Sequence, residues 1–379
     1  MKIVYIMPEL VSSGGADRVI TEKANYFADY FNYDIYIITT YQKNRPFFYP
    51  LSSKVIHIDL NIDFPSQYKY RFIIRTLVYI KLCSIYKYKL RDILQQIKPD
   101  YTITTINRDI DILHKINDGS IKVAEAHVAK EFSRNLHQLE AKGKLYKIIA
   151  YFLKRRVWLS IKKYDKLVVL TNEDAKKWER IKTAIVIPNA LPFYPDKTSN
   201  CSEKKIISVG RIAEQKGYDL LVRCWKIVIQ KHPDWEINVF GEGELKDSLE
   251  YEINLLRINE SFHLLPPTSE IVNKYINSSF YVMSSRFEGF GMVLIEAMAC
   301  GIPCISFDCP SGPSEIITNN KDGILVENGN IEHLANAICF LIENEDIRKK
   351  MGVQARKNVL RYKKENIMTQ WKLFFELNK

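Results

Sequence analysis

The sequence predicts an α/β protein of two domains, each with a parallel sheet flanked by helices. Three observations predict it. Short apolar runs alternate with longer amphipathic ones along the 379 residues, the pattern of strands joined by crossover helices. Two apolar strands run into glycine-bearing loops that open helices, one near the N terminus and one after residue 280. A polar stretch with two prolines, LPFYPDKTSNCSEK, interrupts the chain near its middle. The chain is long enough for two domains of ordinary size. We place the first at 1–190, the linker at 191–204, the second at 205–356 and a helical tail at 357–379.

Composition excludes several classes. The chain is 46% hydrophobic, with no low-complexity tract and no internal repeat. MKIVYIMPEL is broken by Pro8 and reads as a first buried strand rather than a signal peptide. No apolar run approaches the ~20 residues of a membrane span. Seven scattered cysteines without metal-ligand spacing read as buried thiols in a reducing cytosol. The net charge of +11 is uneven. Residues 1–195 hold 32 Lys and Arg against 19 Asp and Glu, and the remainder 23 against 25, so an anionic partner is expected for the first domain.

In chain order, Lys2 to Met7 is a strand, followed by Ser12-Ser13-Gly14-Gly15 and a helix from Ala16 to about Phe31. Asp34 to Thr40 and Val55 to Leu60 are strands. Residues 68–91 and 142–163 are basic helical stretches, with seven and eight Lys/Arg and no acid. Ile73, Ile74, Leu77, Ile80 and Ile85 share an apolar flank of the first, with tyrosines interleaved. Basic amphipathic helices with aromatic residues suit an anionic membrane surface, where each cation contributes ~1 kcal/mol. No nucleic-acid motif supports the rival anion.

Tyr101 to Ile106 is a strand. The aspartates of Asp109-Ile110-Asp111 read as acids in a helix start rather than metal ligands. Lys122 to His127 is a strand whose end places His127 where ligands gather in open α/β sheets; Glu125 shares its sheet face. Lys166 to Leu170 is a strand, Thr171-Asn172-Glu173 an N-cap signal, and Pro188-Asn189 a turn.

The second domain opens on strand Lys205 to Val209, with Arg211 and Lys216 beyond its end. Strand 235–240, helices 218–231 and 244–257, and strands 262–265 and 280–284 follow, then helix 331–344 and a basic helical tail over about 346–376. The informative stretch is SSRFEGFGMVLIEAMACGIPCISFDCPSGPSE, from Ser284 to Glu315. Glu288-Gly289-Phe290-Gly291 opens a helix from Met292 to about Cys300; Gly301 fits its C′ position, and Pro303 to Phe307 is a strand. Glycines let backbone amides approach a ligand, and a helix N-terminus favours an anion. Glu288 and Glu296 fit hydroxyls rather than phosphate, as the ribose-binding acid of dinucleotide folds does. Phosphate flanked by hydroxylated rings describes a nucleotide sugar.

This stretch, with its two glutamates separated by seven residues, resembles the signature of retaining glycosyltransferases of family 4, which have the GT-B fold. The resemblance continues through Cys309 to Ile317 and Asp322 to Val326, where it is similar to bacterial capsule, O-antigen and glycan-assembly enzymes. It implies two Rossmann-like domains with parallel sheets facing across a cleft, the donor held mostly by the second. It also implies a tail that packs back on the first domain.

The resemblance further assigns roles. Glu296 takes the ribose and Glu288 the donor sugar; Phe290, Gly291 and Met292 offer amides, with Gly289 and Val293 beside them. Arg211 and Lys216 take the diphosphate, and Pro267 to Glu270 the base. Gly14 and Gly15 face the phosphates, and His127 contacts the donor sugar near the reacting centre. Glu288, Arg211, Lys216 and His127 are thus the catalytic candidates. The resemblance implies no metal and no prosthetic group.

The expected reaction moves a hexose or N-acetylhexosamine from a nucleotide sugar, UDP-linked by the resemblance, to a polyprenyl-diphosphate-linked saccharide at the inner face of the plasma membrane. The alternatives are a same-fold epimerase or soluble disaccharide synthase, and a non-catalytic sugar-nucleotide-binding partner of an assembly complex.

Overall fold

Two all-parallel sheets organise the chain. The computed structural model describes residues 1–12 and 14–378. The first sheet has seven strands, β1 (Lys2–Met7), β2 (Asp34–Thr39), β3 (Ile56–Asp59), β4 (Tyr101–Thr105), β5 (Ile121–Glu125), β6 (Lys166–Val169) and β7 (Ala184–Val186), in the order β3-β2-β1-β4-β5-β6-β7. The second has six, β8 (Lys205–Val209), β9 (Glu236–Phe240), β10 (Phe262–Leu265), β11 (Phe280–Met283), β12 (Cys304–Phe307) and β13 (Gly323–Val326), in the order β10-β9-β8-β11-β12-β13. Each order reverses beside its first strand, at β1/β4 and at β8/β11. Ligands of open α/β sheets bind beyond the strand ends at such a reversal.

The helices of the first half are α1 (Gly15–Tyr30), α2 (Phe72–Ile97), α3 (Leu136–Glu140), α4 (Lys144–Ile161) and α5 (Asn172–Trp178). Those of the second are α6 (Tyr218–Lys231), α7 (Lys246–Leu255), α8 (Ile271–Ile276), α9 (Met292–Ala299), α10 (Pro313–Ile316), α11 (Ile331–Glu343), α12 (Glu345–Asn358) and α13 (Lys364–Leu377). Both sheets have the near-continuous apolar strands of parallel sheets covered on two faces. Ile3, Val4, Ile35, Ile37 and Val123 are fully buried in one, and Ile206, Ile207, Val282 and Ile305 in the other.

The chain forms two compact units. One comprises Met1–Leu170, Asp174–Ile187 and Met368–Lys379; the other Thr171–Glu173 and Pro188–Ile367. The division falls after Ile187, where the sequence places it after 190, and residues 191–204 count with the second unit. The return to the first unit begins at Met368 rather than 357. There the Phe375 ring packs tilted against Tyr101 and edge-on against Phe27, with centroids 4.9 and 5.6 Å apart, and Tyr101 donates to its carbonyl at 2.7 Å.

The helical tail is three pieces: α12, a 3-10 turn over Val359–Tyr362, and α13. No glycine or proline marks the break. Tertiary bonds impose it: Leu191 N donates to the Tyr362 carbonyl at 2.8 Å, the Tyr362 ring packs edge-on against Phe290, and Lys363 turns extended. Asp109 and Asp111 lie in a 3-10 turn, Arg108–Asp111, capped by the Asn107 side chain. Asp111 holds Arg134 and Ser160 at 3.1 and 3.0 Å, and among the described residues no cluster of three His, Cys, Asp or Glu is placed for a metal.

Candidate active site

At the second reversal, the loops after β8 and β11 bring two predicted residues, Lys216 and Glu288, together with Ser285. Lys216 Nζ donates to Glu288 Oε1 at 2.6 Å, and Ser285 Oγ donates to the same oxygen at 2.7 Å. Glu288 is 6% exposed and the Lys216 side chain 18%. Opposite charges 2.6 Å apart in a site mostly closed to water attract far more strongly than a surface pair. The sequence assigns Lys216 to phosphate and Glu288 to sugar, and gives no sign that they hold each other. Arg211, beyond the same strand, is exposed, and no ion pair of its guanidinium is found among the described residues. One cation is therefore held by the site's own acid while the other faces solvent.

The loop Glu288–Gly291 lies where β11 runs into α9. Gly291, at the N-cap, has φ +98°, a conformation that side-chain-bearing residues avoid. The first amides of α9 have no acceptor within the helix. Gly289, Met292 and Val293 are half-buried, and Phe290 is buried against Tyr362. Gly312 fixes the loop from behind: a Cβ there would meet the Phe290 carbonyl oxygen at 2.0 Å, and its φ is +125°. Glu288 N donates to the Pro310 carbonyl at 3.2 Å, which holds the loop against the segment after β12.

Glu296 sits on the buried face of α9, 7% exposed, and Tyr275 of α8 donates to its Oε2 at 3.3 Å. Burial first, and the Glu296 charge next, push the Tyr275 phenol far above its ordinary pKa, so it remains a donor. Sequence reading missed this partner. Its signal is a tyrosine in the short amphipathic run before strand 280–283. Pro267 is exposed in the loop between β10 and α8. Glu315, part of the quoted motif without a role of its own, accepts from the amides of Asn172 and Glu173 at 2.9 and 2.7 Å.

The first unit has its own cluster at its reversal. Gly14 caps α1 with φ −62°, so its glycine is not required by a positive φ; a Cβ there would come within 3.0 Å of Ser12 Oγ. Asp17, in the first turn, accepts from Ser12 Oγ at 2.8 Å. Burial raises its pKa, opposed by Ser12 and by the nearby His127. His127, beyond the end of β5, has Nε2 at 3.2 Å from Glu125 Oε1, and Lys23 of α1 donates to the same oxygen. Lys23 and Glu125 are 2% and 1% exposed. Burial pushes the Glu125 carboxyl up, but Lys23 and then His127 outweigh it and hold it down to about 2. The first unit thus joins His127 to the strand-end region expected of it and adds Lys23, which sequence reading passed over.

The cysteines are of another kind. Six are buried and Cys83 half-buried, with no disulfide among them. Burial raises the thiols of Cys300, Cys304 and Cys309, which keeps them protonated and unreactive.

Residues 194–358 match the family model of glycosyl transferases group 1. That match, with the fold, supports a GT-B glycosyltransferase. An uncharacterized glycosyltransferase of Haemophilus influenzae is 29% identical, covering 98% of this chain and 99% of its own length. The amylovoran biosynthesis glycosyltransferase AmsD of Erwinia amylovora is 27% identical, with 98% of each covered. The fold is that of a Staphylococcus aureus TarM mutant crystallised with fondaparinux, α-GlcNAc-glycerol and UDP (TM-score 0.79, 16% identity, each chain covered in full).

Proposed function

We propose that this glycosyltransferase is a retaining, metal-independent enzyme of family 4. It moves a hexose or N-acetylhexosamine from a UDP-sugar to a lipid-linked saccharide in bacterial surface polysaccharide or glycan assembly. The observation that carries the reading is the Lys216–Glu288–Ser285 cluster at the start of α9, beside the solvent-facing Arg211. A diphosphate brought to this loop meets the free amides of α9, and Arg211 supplies a planar fork for two oxygens. The diphosphate draws Lys216 toward itself, which releases Glu288 Oε1 to accept from sugar hydroxyls. Glu296, held by Tyr275, accepts from the ribose. His127 is assigned to the reacting sugar, Gly14 and Gly15 to the phosphates, and Pro267 to the base.

Chemistry then follows from charge. Breaking the anomeric bond moves negative charge onto the leaving diphosphate. Arg211, Lys216 and the amides of Phe290, Gly291 and Met292 are placed to stabilise that charge. Removing one such donor from an oxyanion site costs ~2.7–4 kcal/mol. The UDP reading draws on the TarM complex, and the polysaccharide reading on the relative named for amylovoran biosynthesis.

A lipid-borne acceptor is favoured over a soluble one by the surface of the first unit. On α2, Ile73, Ile74, Leu77 and Ile80 are 52–74% exposed, and on α4, Leu145, Ile148 and Phe152 are 57–67% exposed. Exposed Arg75, Lys81, Lys87, Lys144, Lys147 and Arg155 accompany them. Apolar stripes flanked by cations fit an anionic lipid interface. No helix among the described residues is long and apolar enough to cross a membrane.

The test incubates the protein with UDP-, GDP- and ADP-sugars and short lipid-diphosphate saccharides, with product anomers read by NMR. An α-linked product from an α-linked UDP-sugar supports the reading. An inverted product overturns retention, and an epimerised sugar nucleotide without transfer overturns the reaction class. Flotation with anionic liposomes at low salt tests the surface: a protein that stays at the bottom removes the membrane claim.

A further inference from the structure

Two arginines beyond the end of β4 have more hydrogen-bonding capacity than the fold uses. Arg108 opens the 3-10 turn Arg108–Asp111. Its Cζ lies 3.5 Å from the centre of the Phe64 ring, and its Nη1 is buried without a hydrogen-bond partner among the described residues. A buried charged donor left open is costly. Arg156 of α4 has a side chain 60% exposed, with Nη2 3.5 Å from Asp111 Oδ2. That carboxylate is already taken: Arg134 donates to Oδ2 at 3.1 Å and Ser160 to Oδ1 at 3.0 Å. The other acid of the turn, Asp109, is 1% exposed, and burial pushes its carboxyl up toward the neutral form. Three guanidiniums thus meet two carboxylates, one of them sealed from water.

Arg108 and Arg156 flank the same turn of α2. Burial raises the Tyr79 phenol to about 12 and also raises the Cys83 thiol one turn on, and both arginines oppose both shifts. The Tyr79 ring lies 6.1 Å from that of Phe64, which carries Arg108. An apolar path leads to the place. Ile149, Phe152 and Leu153 precede Arg156 by seven, four and three residues, so all four share one face of α4. They are 42%, 59% and 37% exposed, and α4 contains no acid.

We propose that Arg108 and Arg156 bind the diphosphate of a lipid-linked acceptor whose hydrocarbon chain lies along Ile149, Phe152 and Leu153. An apolar stripe that ends at cations fits an amphiphile with an anionic head. Each guanidinium presents a planar fork to phosphoryl oxygens. A diphosphate has two phosphoryl groups, one for the half-open Arg156 and one for the open donor of Arg108. Arg134 stays with Asp111, which keeps that carboxylate from repelling the ligand. The role as acceptor rests on the transferase reading; the binding of a lipid diphosphate does not.

The experiment titrates the full chain calorimetrically with farnesyl diphosphate, with farnesol and inorganic pyrophosphate as its two halves. Farnesyl diphosphate should bind more tightly than either half. Arg108→Met and Arg156→Met should each weaken it about tenfold or more. Phe152→Ser should weaken farnesyl diphosphate and leave pyrophosphate unchanged. If Arg108→Met does not fold, the exposed Arg156→Met and Arg156→Glu decide. No binding by wild type, equal binding by the arginine variants, or pyrophosphate binding as tightly as farnesyl diphosphate overturns the proposal. Flotation with phosphatidylglycerol vesicles separates the two sources of phosphate. If Arg156→Met abolishes flotation while farnesyl diphosphate fails to bind wild type, the anion is a phospholipid headgroup and the acceptor assignment falls.

Turnover separates the site from the reaction. With a lipid-diphosphate saccharide, Arg156→Met should raise the acceptor KM about tenfold or more, with donor KM unchanged. No transfer by wild type counts against the transferase reading, while the titration still decides the diphosphate site.

Discussion

Each unit carries a Lys–Glu pair at the reversal of its sheet, and the two are built differently. Lys216 and Glu288 have side chains 18% and 8% exposed, on loops beside a helix start. Lys23 and Glu125 are 3% and 1% exposed, behind a tryptophan. The first can be opened by an incoming anion, because its lysine has somewhere to go. The second cannot, and its neighbour His127 is itself largely buried, its side chain 9% exposed. The same two residue types thus form a partly open pair in one unit and a sealed pair in the other. Burial makes the difference.

The largest expected effect distinguishes the pairs by stability. Lys23→Met leaves a buried carboxylate unpaired and should cost about 3–5 kcal/mol in denaturant unfolding. Lys216→Ala should cost well under half of that, since Glu288 keeps Ser285. Equal losses would break the comparison. Turnover should reverse the ranking. Lys216→Ala removes a donor to the leaving diphosphate, and kcat should fall ~100-fold or more. Arg211→Ala should lower it at least about tenfold, without loss of stability, because its guanidinium is exposed.

Glu296→Ala should act on affinity. Losing a charged acceptor for ribose costs about 1.5–3 kcal/mol, seen as donor KM rising about ten- to a hundredfold with kcat little changed. The smallest effect is a pH dependence. The folded pKa of Glu125, about 2, lies below its ordinary 4.5, so its contribution to stability is complete above 4.5 and is lost as pH falls toward 2. The stability difference between wild type and Glu125→Gln should shrink across that window. A constant difference would mean that Glu125 is not ionised in the fold.

Much of this was legible in the sequence. The loop from Glu288 to Gly291, the helix that follows and its end at Gly301 depend on local signals: glycine spacing, apolar periodicity and a C′ glycine. The parallel sheets followed from alternation. The exposure of Ile73, Ile74, Leu77 and Ile80 followed from cations and apolar residues sharing one helix. The pairings were not legible, because they join distant positions. Lys216 and Glu288 are 72 residues apart, and Lys23 and Glu125 are 102 apart.

A signal did exist for Lys23: a lysine in the buried register of an amphipathic helix, with a glutamate in a fully apolar strand elsewhere. The break at Val359–Tyr362 left no signal, since bonds to the Tyr362 carbonyl override a sequence that would continue the helix.

The measurement that tests the central claim most directly is calorimetric titration of the protein, and of Glu296→Ala, with UDP. The account predicts saturable binding by the wild type that weakens at least tenfold in the variant. No heat of binding from UDP, GDP or ADP at millimolar concentration, or equal binding by the variant, would contradict a nucleotide site at the start of α9.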